Sequence, residues 1–552
     1  MSRHRAEGTR SGLLSASALM AAGTVLSRLT GFLRAVLIVA AIGKSLDADL
    51  FTQANTIPNS LYILVAGGVF NVVLVPQLVR TMKDDPDGGE AYAHRVLTLG
   101  MVVLAGATAV LLIAVPLVAR LAFPSDLFGP ELAVQRESAY DLMRWCMPQV
   151  FFYGVYVLLG QMLNARERFG PMMWAPIVNN IIACAVLGIY MATYGTSNAA
   201  DGFTTGQEVL LGLGSTIGIV LQALVLVPYL RAAGLSIRLR FDWRGVGLGH
   251  TLRLGLWTLM FVLANQVAYF VVSRLAVGAT TQAAEGSNGD PAGATVYQNA
   301  FLITQVPHAI ITVSLVTATM PLLSRLAADG EREEMRSELA STLRLALLVI
   351  VPVAVALACL GQPLATMLFS HGALVGGTDV IGRTIAAFAP GLVLFTVHYC
   401  MLRGFYADED TRTPFLVQLL LAGTNIAAAV AFTATAPPSW IAALLALAYA
   451  LAYLVGVVAS ATSLSRRVGP IFDATMIRFI LRLAVAVGVS ALVMLGTAWG
   501  MDQLGVSGDT AGSATVVAAV AGATGALGYL AAARVVGLRE IRSLLGVVRR
   551  RG

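Results

Sequence analysis

Three polar side chains, Ser27, Arg28 and Arg34, stand inside an otherwise apolar stretch, residues 14–42 (LSASALMAAGTVLSRLTGFLRAVLIVAAI). A guanidinium is a planar, permanently charged fork that grips phosphate oxygens with two donors at once, so these arginines have the chemistry to hold an anionic headgroup, with Ser27 beside them. The structural alternative is an internal ion pair or a side chain that snorkels to water. An arginine at the centre of a membrane helix costs ~2.5 to 3.5 kcal/mol, so either reading demands a partner or a wet cavity. On a regular helix six residues place the two side chains about 120° apart, and Gly31 between them is an expected bend that would turn both toward one cavity.

Further candidates follow. Asp49, at the mouth of the next apolar segment, suits an ion pair with an arginine or an outer gate; the plain alternative is a solvated carboxylate in the loop SLDAD. Gln53, Asn55 and Asn59 continue that segment, and Tyr297, Gln298, Asn299 and Gln305 occupy the matching part of the eighth. Amides in membrane helices often serve as interhelical glue worth ~0.6 kcal/mol each, but recurrence in both halves of the chain points to a shared polar cavity.

Enzyme chemistry finds no support. Gly43-Lys44-Ser45 resembles the end of a phosphate-binding loop, yet Ile38 occupies the place of its first glycine. The six histidines, His371 and His398 among them, have no metal-ligand spacing. The one acidic cluster, Asp408, Glu409 and Asp410, is interleaved with Arg412 and reads as a loop salt-bridge set. No cofactor or metal is expected, so any transport would draw on the membrane potential, a sodium or proton gradient, or the substrate gradient.

The elements that carry these residues follow from composition. With 57% hydrophobic and only 12% charged residues, against about 25% charged in soluble domains, the chain is an all-α polytopic membrane protein. A net charge of +7 is no sign of nucleic-acid binding, because its arginines flank apolar segments on one side. Cys146, Cys184, Cys359 and Cys400 all lie in apolar runs and read as free thiols. Apolar segments at 53–79, 96–119, 140–163, 173–194, 208–230, 254–275, 296–323, 341–360, 383–403, 414–433, 440–463, 477–498 and 512–535 bring the total to about fourteen transmembrane helices. Alternate connections carry Arg80, Lys83 and Arg95; Arg166 and Arg168; Arg231, Arg238, Arg240 and Arg244; Arg325, Arg332 and Arg336; Arg403 and Arg412; Arg466 and Arg467. The others are nearly bare, Lys44, Arg120 and Arg136 being the exceptions, so both termini are expected in the cytoplasm.

A parallel repeat is visible across these segments. IPN (57–59) and VPQLVR (75–80) are echoed by VPH (306–308) and MPLLSR (320–325), and LNARERFGP (163–171) by YADEDTRTP (406–414). The matched prolines recur at a nearly constant interval of about 245 residues, six segments apart, so the halves share one orientation. The expected organisation is a polar N-terminal tail (1–12), a six-helix N-lobe (13–235), a six-helix C-lobe (248–465), two further helices (470–536) and a basic tail (537–552).

Taken together, SRLTGFLRA, Asp49 with ANTIPN and VPQLV, LNARERFGPMMWAPIVNN, MPLLSR and GFYADEDTRTP resemble the MurJ/MviN family of bacterial lipid II flippases, in the multidrug/oligosaccharidyl-lipid/polysaccharide exporter superfamily. The resemblance implies two lobes opening alternately around a cationic cavity, and two C-terminal helices forming a groove for a polyprenyl tail. It implies a monomer in the bacterial plasma membrane that works with cell-wall synthesis proteins, membrane lipids and lipid II or a similar polyprenyl-diphosphate glycolipid. Ser27, Arg28, Arg34 and Asp49 stand where the family has cavity or gate residues. The chain departs from the family's charges at Ala35, Tyr62, Gly67, Phe301, Leu302 and Gln305. Export of another polyprenyl-linked glycan, or of amphipathic drugs, is the alternative on the same fold.

Overall fold

The computed structural model describes residues 2–64, 90–166, 168–235, 238–242, 249–286, 290–375, 377–538 and 540. Every long regular element among them is a helix, and thirteen helices are long and apolar enough to cross a membrane. Helices satisfy each backbone N–H and C=O internally, which hydrocarbon requires of any spanning segment. Of the expected second span, the start forms a helix at Leu46–Ile63. Its remainder, with Gly67, VPQLV and Arg80, lies outside the described residues, as do Lys83, Arg244 and the end of the basic tail.

The chain divides into two compact units, Met1–Gln266 and Val267–Gly552. The first contains α1 (Ser2–Ile42), α2 (Leu46–Ile63), α3 (Glu90–Ile113), α4 (Val115–Ala122), α5 (Ala133–Cys146), α6 (Gln149–Ala165), α7 (Gly170–Tyr194), α8 (Thr205–Glu208), α9 (Gly214–Leu224) and α10 (Leu226–Ala232). A π-helical turn, Val209–Leu213, joins α8 to α9. The next helix, α11 (Gly249–Ala284), begins in this unit, where Gln266 Nε2 donates to the Ser60 carbonyl at 2.7 Å. The helix α1 starts at Ser2, so the residues expected as a tail extend it.

The expected bend at Gly31 is absent, since α1 is helical through it. A Cβ at Gly31 would stand 3.4 Å from Asn180 Nδ2 on α7. That amide donates to the Ser27 carbonyl at 3.0 Å and the Thr30 hydroxyl at 3.1 Å. The glycine thus lies beside a helix-to-helix clasp and not at a hinge.

The second unit contains α12 (Ala294–Pro307), a π-helical turn (His308–Thr312), α13 (Val313–Ala328), α14 (Arg332–Phe369), α15 (Asp379–Ala407), α16 (Arg412–Thr433), α17 (Ile441–Val468), α18 (Ala474–Gln503) and α19 (Ala511–Val535). Leu360 (φ −112°, ψ 16°) kinks α14 between Pro352 and Pro363, prolines being a usual cause of such breaks. The last two helices pack on each other and on α14: Met494 and Ala521 bury against Leu360, and Tyr529 donates to the Leu348 carbonyl at 2.7 Å. Asp473 caps α18 by accepting the Met476 N–H at 2.8 Å. Asp408 pairs with Arg332 and Asp410 with Arg467, so the acidic cluster finds its cations on other helices. The motif LNARERFGP spans the α6–α7 connection and YADEDTRTP the α15–α16 connection, the same place in each half. Large apolar side chains stay exposed along the spans, Ile113 at 84% and Leu492 at 74%, as lipid-facing surface does.

Candidate functional site

Within the candidate span Ala22–Ile42, Arg34 stands near the midpoint; it is half-buried, as is Ser27, while Arg28 is exposed. Among the described residues neither guanidinium has an ion pair or a hydrogen bond. Because α1 is unbroken, the two side chains leave it about 120° apart, so they do not share one face. Arg34 lies within electrostatic reach of Cys146, Tyr153 and Cys184, none of which supplies a carboxylate. Tyr153 stacks on Tyr62 with ring centroids 4.8 Å apart. Cys146, Tyr153 and Cys184 lie on α5, α6 and α7, so the neighbourhood of Arg34 is visible only once those helices are packed. All four cysteines are free.

Along α2 the amides tie helices together. Gln53, 1% exposed, donates to the Ala122 carbonyl at 3.4 Å, and Asn55 accepts from Gln149 Nε2 at 3.0 Å. Asn59 is half-buried. In the second unit Asn299 turns back onto its own helix, donating to the Thr295 carbonyl at 2.8 Å, and Gln305 donates to the Tyr449 hydroxyl at 3.2 Å. Gln298 Nε2 is buried without a hydrogen-bond partner. Phe301, one of the positions where the chain departs from the family's charges, joins an aromatic cluster with Tyr297, Phe388 and Tyr449.

The loop reading of Asp49 is overturned: its exposure is 0%, and Lys44, expected as a loop charge, is 1% exposed. The α7–α8 connection, some 150 residues away, folds over Lys44, Ser45 and Asp47 at the α1–α2 turn. Asn198 Oδ1 accepts the Lys44 N–H at 2.8 Å and the Ser45 N–H at 3.1 Å, the Ser45 hydroxyl donates to the Ala199 carbonyl, and Asp47 accepts the Gly202 N–H at 3.0 Å. Asp47, Tyr190, Ser197, Ala199, Gly202 and Gln207 line a small recess there. Burial pushes the Asp47 carboxyl up from 3.8 to about 7; the Gly202 N–H opposes this and the charge of Asp201 adds to it. Gly43, at φ 69°, makes the turn possible, and its missing Cβ is where the Asn198 side chain sits. Gly43→Ala should therefore lower stability by about 1–2 kcal/mol from backbone strain alone, and more from displacing Asn198, read as a lower melting temperature of the purified protein; an unchanged value would contradict this.

Fold and site together define a multi-pass helical membrane protein of the transporter class. The family model described as "Lipid II flippase MurJ" matches residues 38–510, and the chain belongs to that family. Ser27, Arg28 and Arg34 precede the matched stretch. The chain is 27% identical over 418 residues to the "Probable lipid II flippase MurJ" of Haemophilus influenzae, covering 73% of this chain and 78% of that protein. It is 27% identical over 407 residues to the "Lipid II flippase MurJ" of Burkholderia cenocepacia, covering 72% and 73%. Among solved structures, "Lipid II flippase MurJ, inward closed conformation" superposes with a TM-score of 0.72 at 19% identity, over 95% of this chain and all of that one. An inward-facing multidrug resistance MATE family transporter of the MOP superfamily gives 0.64 at 15% identity, over 80% of this chain and 95% of that one.

Proposed function

We propose that this protein moves lipid II, the lipid-linked precursor of peptidoglycan, from the inner to the outer leaflet of the bacterial plasma membrane by alternating access, with both termini in the cytoplasm. Membership of the family supports the cargo. The observation that carries the chemistry is a pair of arginines in a membrane helix with no ion pair or hydrogen bond among the described residues. Two uncompensated guanidiniums at that depth are costly unless an anionic ligand visits them, and a diphosphate presents the oxygens that suit them. An inside-negative potential favours outward movement of negative charge by ~2.3 kcal/mol per charge per 100 mV, enough to bias the cycle without a nucleotide. Proton or sodium coupling would add to that bias.

The test is rescue of a bacterium depleted of its own flippase. Expression of this chain should restore growth and return labelled lipid II to the outer leaflet. Lipid II that stays on the inner leaflet, with this protein present in the membrane, would overturn the reading.

A further inference from the structure

In the second unit, near the C-terminal end of α15, Tyr399, Arg403 and Tyr406 lie on one helix face at i, i+4 and i+7. The Arg403 guanidinium carbon sits 4.1 Å from the Tyr399 ring centroid and 5.5 Å from that of Tyr406. Two aromatic faces thus hold the cation and fix its plane. Its Nε is buried without a hydrogen-bond partner, although the residue as a whole stays partly exposed. The acidic residues that follow it, Asp408 and Asp410, are engaged by Arg332 and Arg467, and no carboxylate pairs with Arg403 among the described residues. Tyr399 is itself braced edge-on by His308, centroids 4.9 Å apart. His308 opens the π-helical turn behind Pro307, and its Nδ1 lies 3.0 Å from the Thr396 hydroxyl. Such turns recur at functional sites. A strap serving packing alone gains nothing from a buried N–H that finds no acceptor, which costs about 1–3 kcal/mol.

We propose that Arg403, clamped between Tyr399 and Tyr406, is a second oxyanion-binding point, one that takes the phosphate groups of a polyprenyl diphosphate. A guanidinium fixed in plane and stripped of competing carboxylates presents its edge for two-donor contact with phosphate oxygens. The inference rests on the lipid-linked diphosphate reading above.

The experiment uses the full-length protein in lipid nanodiscs, with polyprenyl diphosphate, the uncharged polyprenol and inorganic pyrophosphate as separate probes. Arg403→Gln should weaken polyprenyl diphosphate binding roughly tenfold, the size expected for one charge-assisted contact, and leave polyprenol binding unchanged. Equal loss for both lipids would make Arg403 a packing strap and overturn the proposal, as would no loss for either. Pyrophosphate bound as tightly as the lipid diphosphate would overturn the lipid source. Should Arg403→Gln fail to fold, the wild-type protein answers: polyprenyl diphosphate should slow phenylglyoxal modification of Arg403 and polyprenol should not, and equal rates with both sink the idea. Normal binding by Arg403→Gln with loss in Arg34→Gln removes this inference alone, whereas a wild-type protein that binds no polyprenyl diphosphate removes the function as well.

Discussion

Arg34→Ala is expected to abolish rescue of a flippase-depleted cell while leaving the protein as abundant in the membrane as the wild type. Removing a guanidinium that contacts a diphosphate forfeits charge-assisted hydrogen bonds worth together about 3 kcal/mol or more, roughly a hundredfold or greater loss in affinity. Structural stability should not fall in parallel, because no partner among the described residues is orphaned. An arginine in mid-helix itself opposes insertion by ~2.5 to 3.5 kcal/mol, so the alanine variant should insert at least as well. Arg28→Ala is expected to behave alike. Arg34→Lys should retain part of the function, since an ammonium keeps the charge and loses the two-donor fork. Quantitative blotting of membranes beside the rescue assay separates the two effects. Full rescue by both alanine variants would remove the anion-binding role, and loss of the protein from the membrane would show the arginines to be structural.

Asp47→Asn is expected to stabilise the protein at alkaline pH and to remove part of its pH dependence. The carboxyl sits in the first turn of α2, 5% exposed, and burial raises it to about 7. Between about pH 4 and pH 7 the folded chain therefore holds a proton that the unfolded chain has released. Stability contributed by this group is complete below about pH 4, declines as pH rises through that window, and is flat above it. A shift of about three units corresponds to at most ~4 kcal/mol, at 1.36 kcal/mol per unit. Asparagine keeps an oxygen for the Gly202 N–H and carries no charge, so the variant should melt several degrees higher at pH 8 and match the wild type at pH 4. Melting curves of both proteins from pH 4 to 8 decide the matter. Parallel curves would show that Asp47 is not the titrating group.

The overall class was legible because membrane helices write themselves into composition. Long apolar runs need no partner to be recognised, and the echo of LNARERFGP in YADEDTRTP marked the same helix connection in both halves before any packing was known. Arg28 and Arg34 were legible for the same reason, as charges where charge is costly. Other positions gave no such signal. Asp49 was open to two readings, an ion-pair or gate residue and a solvated loop carboxylate, and Asp47 gave no signal at all, yet both are buried, Asp47 because the segment around Asn198 and Gly202 closes over it. Gly31 read as a bend, whereas the helix runs through it beside Asn180, a placement that depends on the packing of α7 against α1. Gln53 and Asn55 were candidates for a polar cavity, and only packing shows the hydrogen bonds by which they link α2 to its neighbours.

What the chain's order of residues determined alone was therefore hydropathy and its interruptions: how many spans, which loops carry arginine, which charges sit at membrane depth, and the family they resemble. These are properties of single segments, each settled between that segment and the bilayer. Tertiary structure decided what each polar group meets: that Arg34 comes within electrostatic reach of Cys146, Tyr153 and Cys184, that Asp47 is sealed beneath a distant loop, and that Arg403 is held between two rings. Burial and pairing depend on which segments fold against one another, and proximity between residues far apart in the chain is set by packing, which no local pattern encodes.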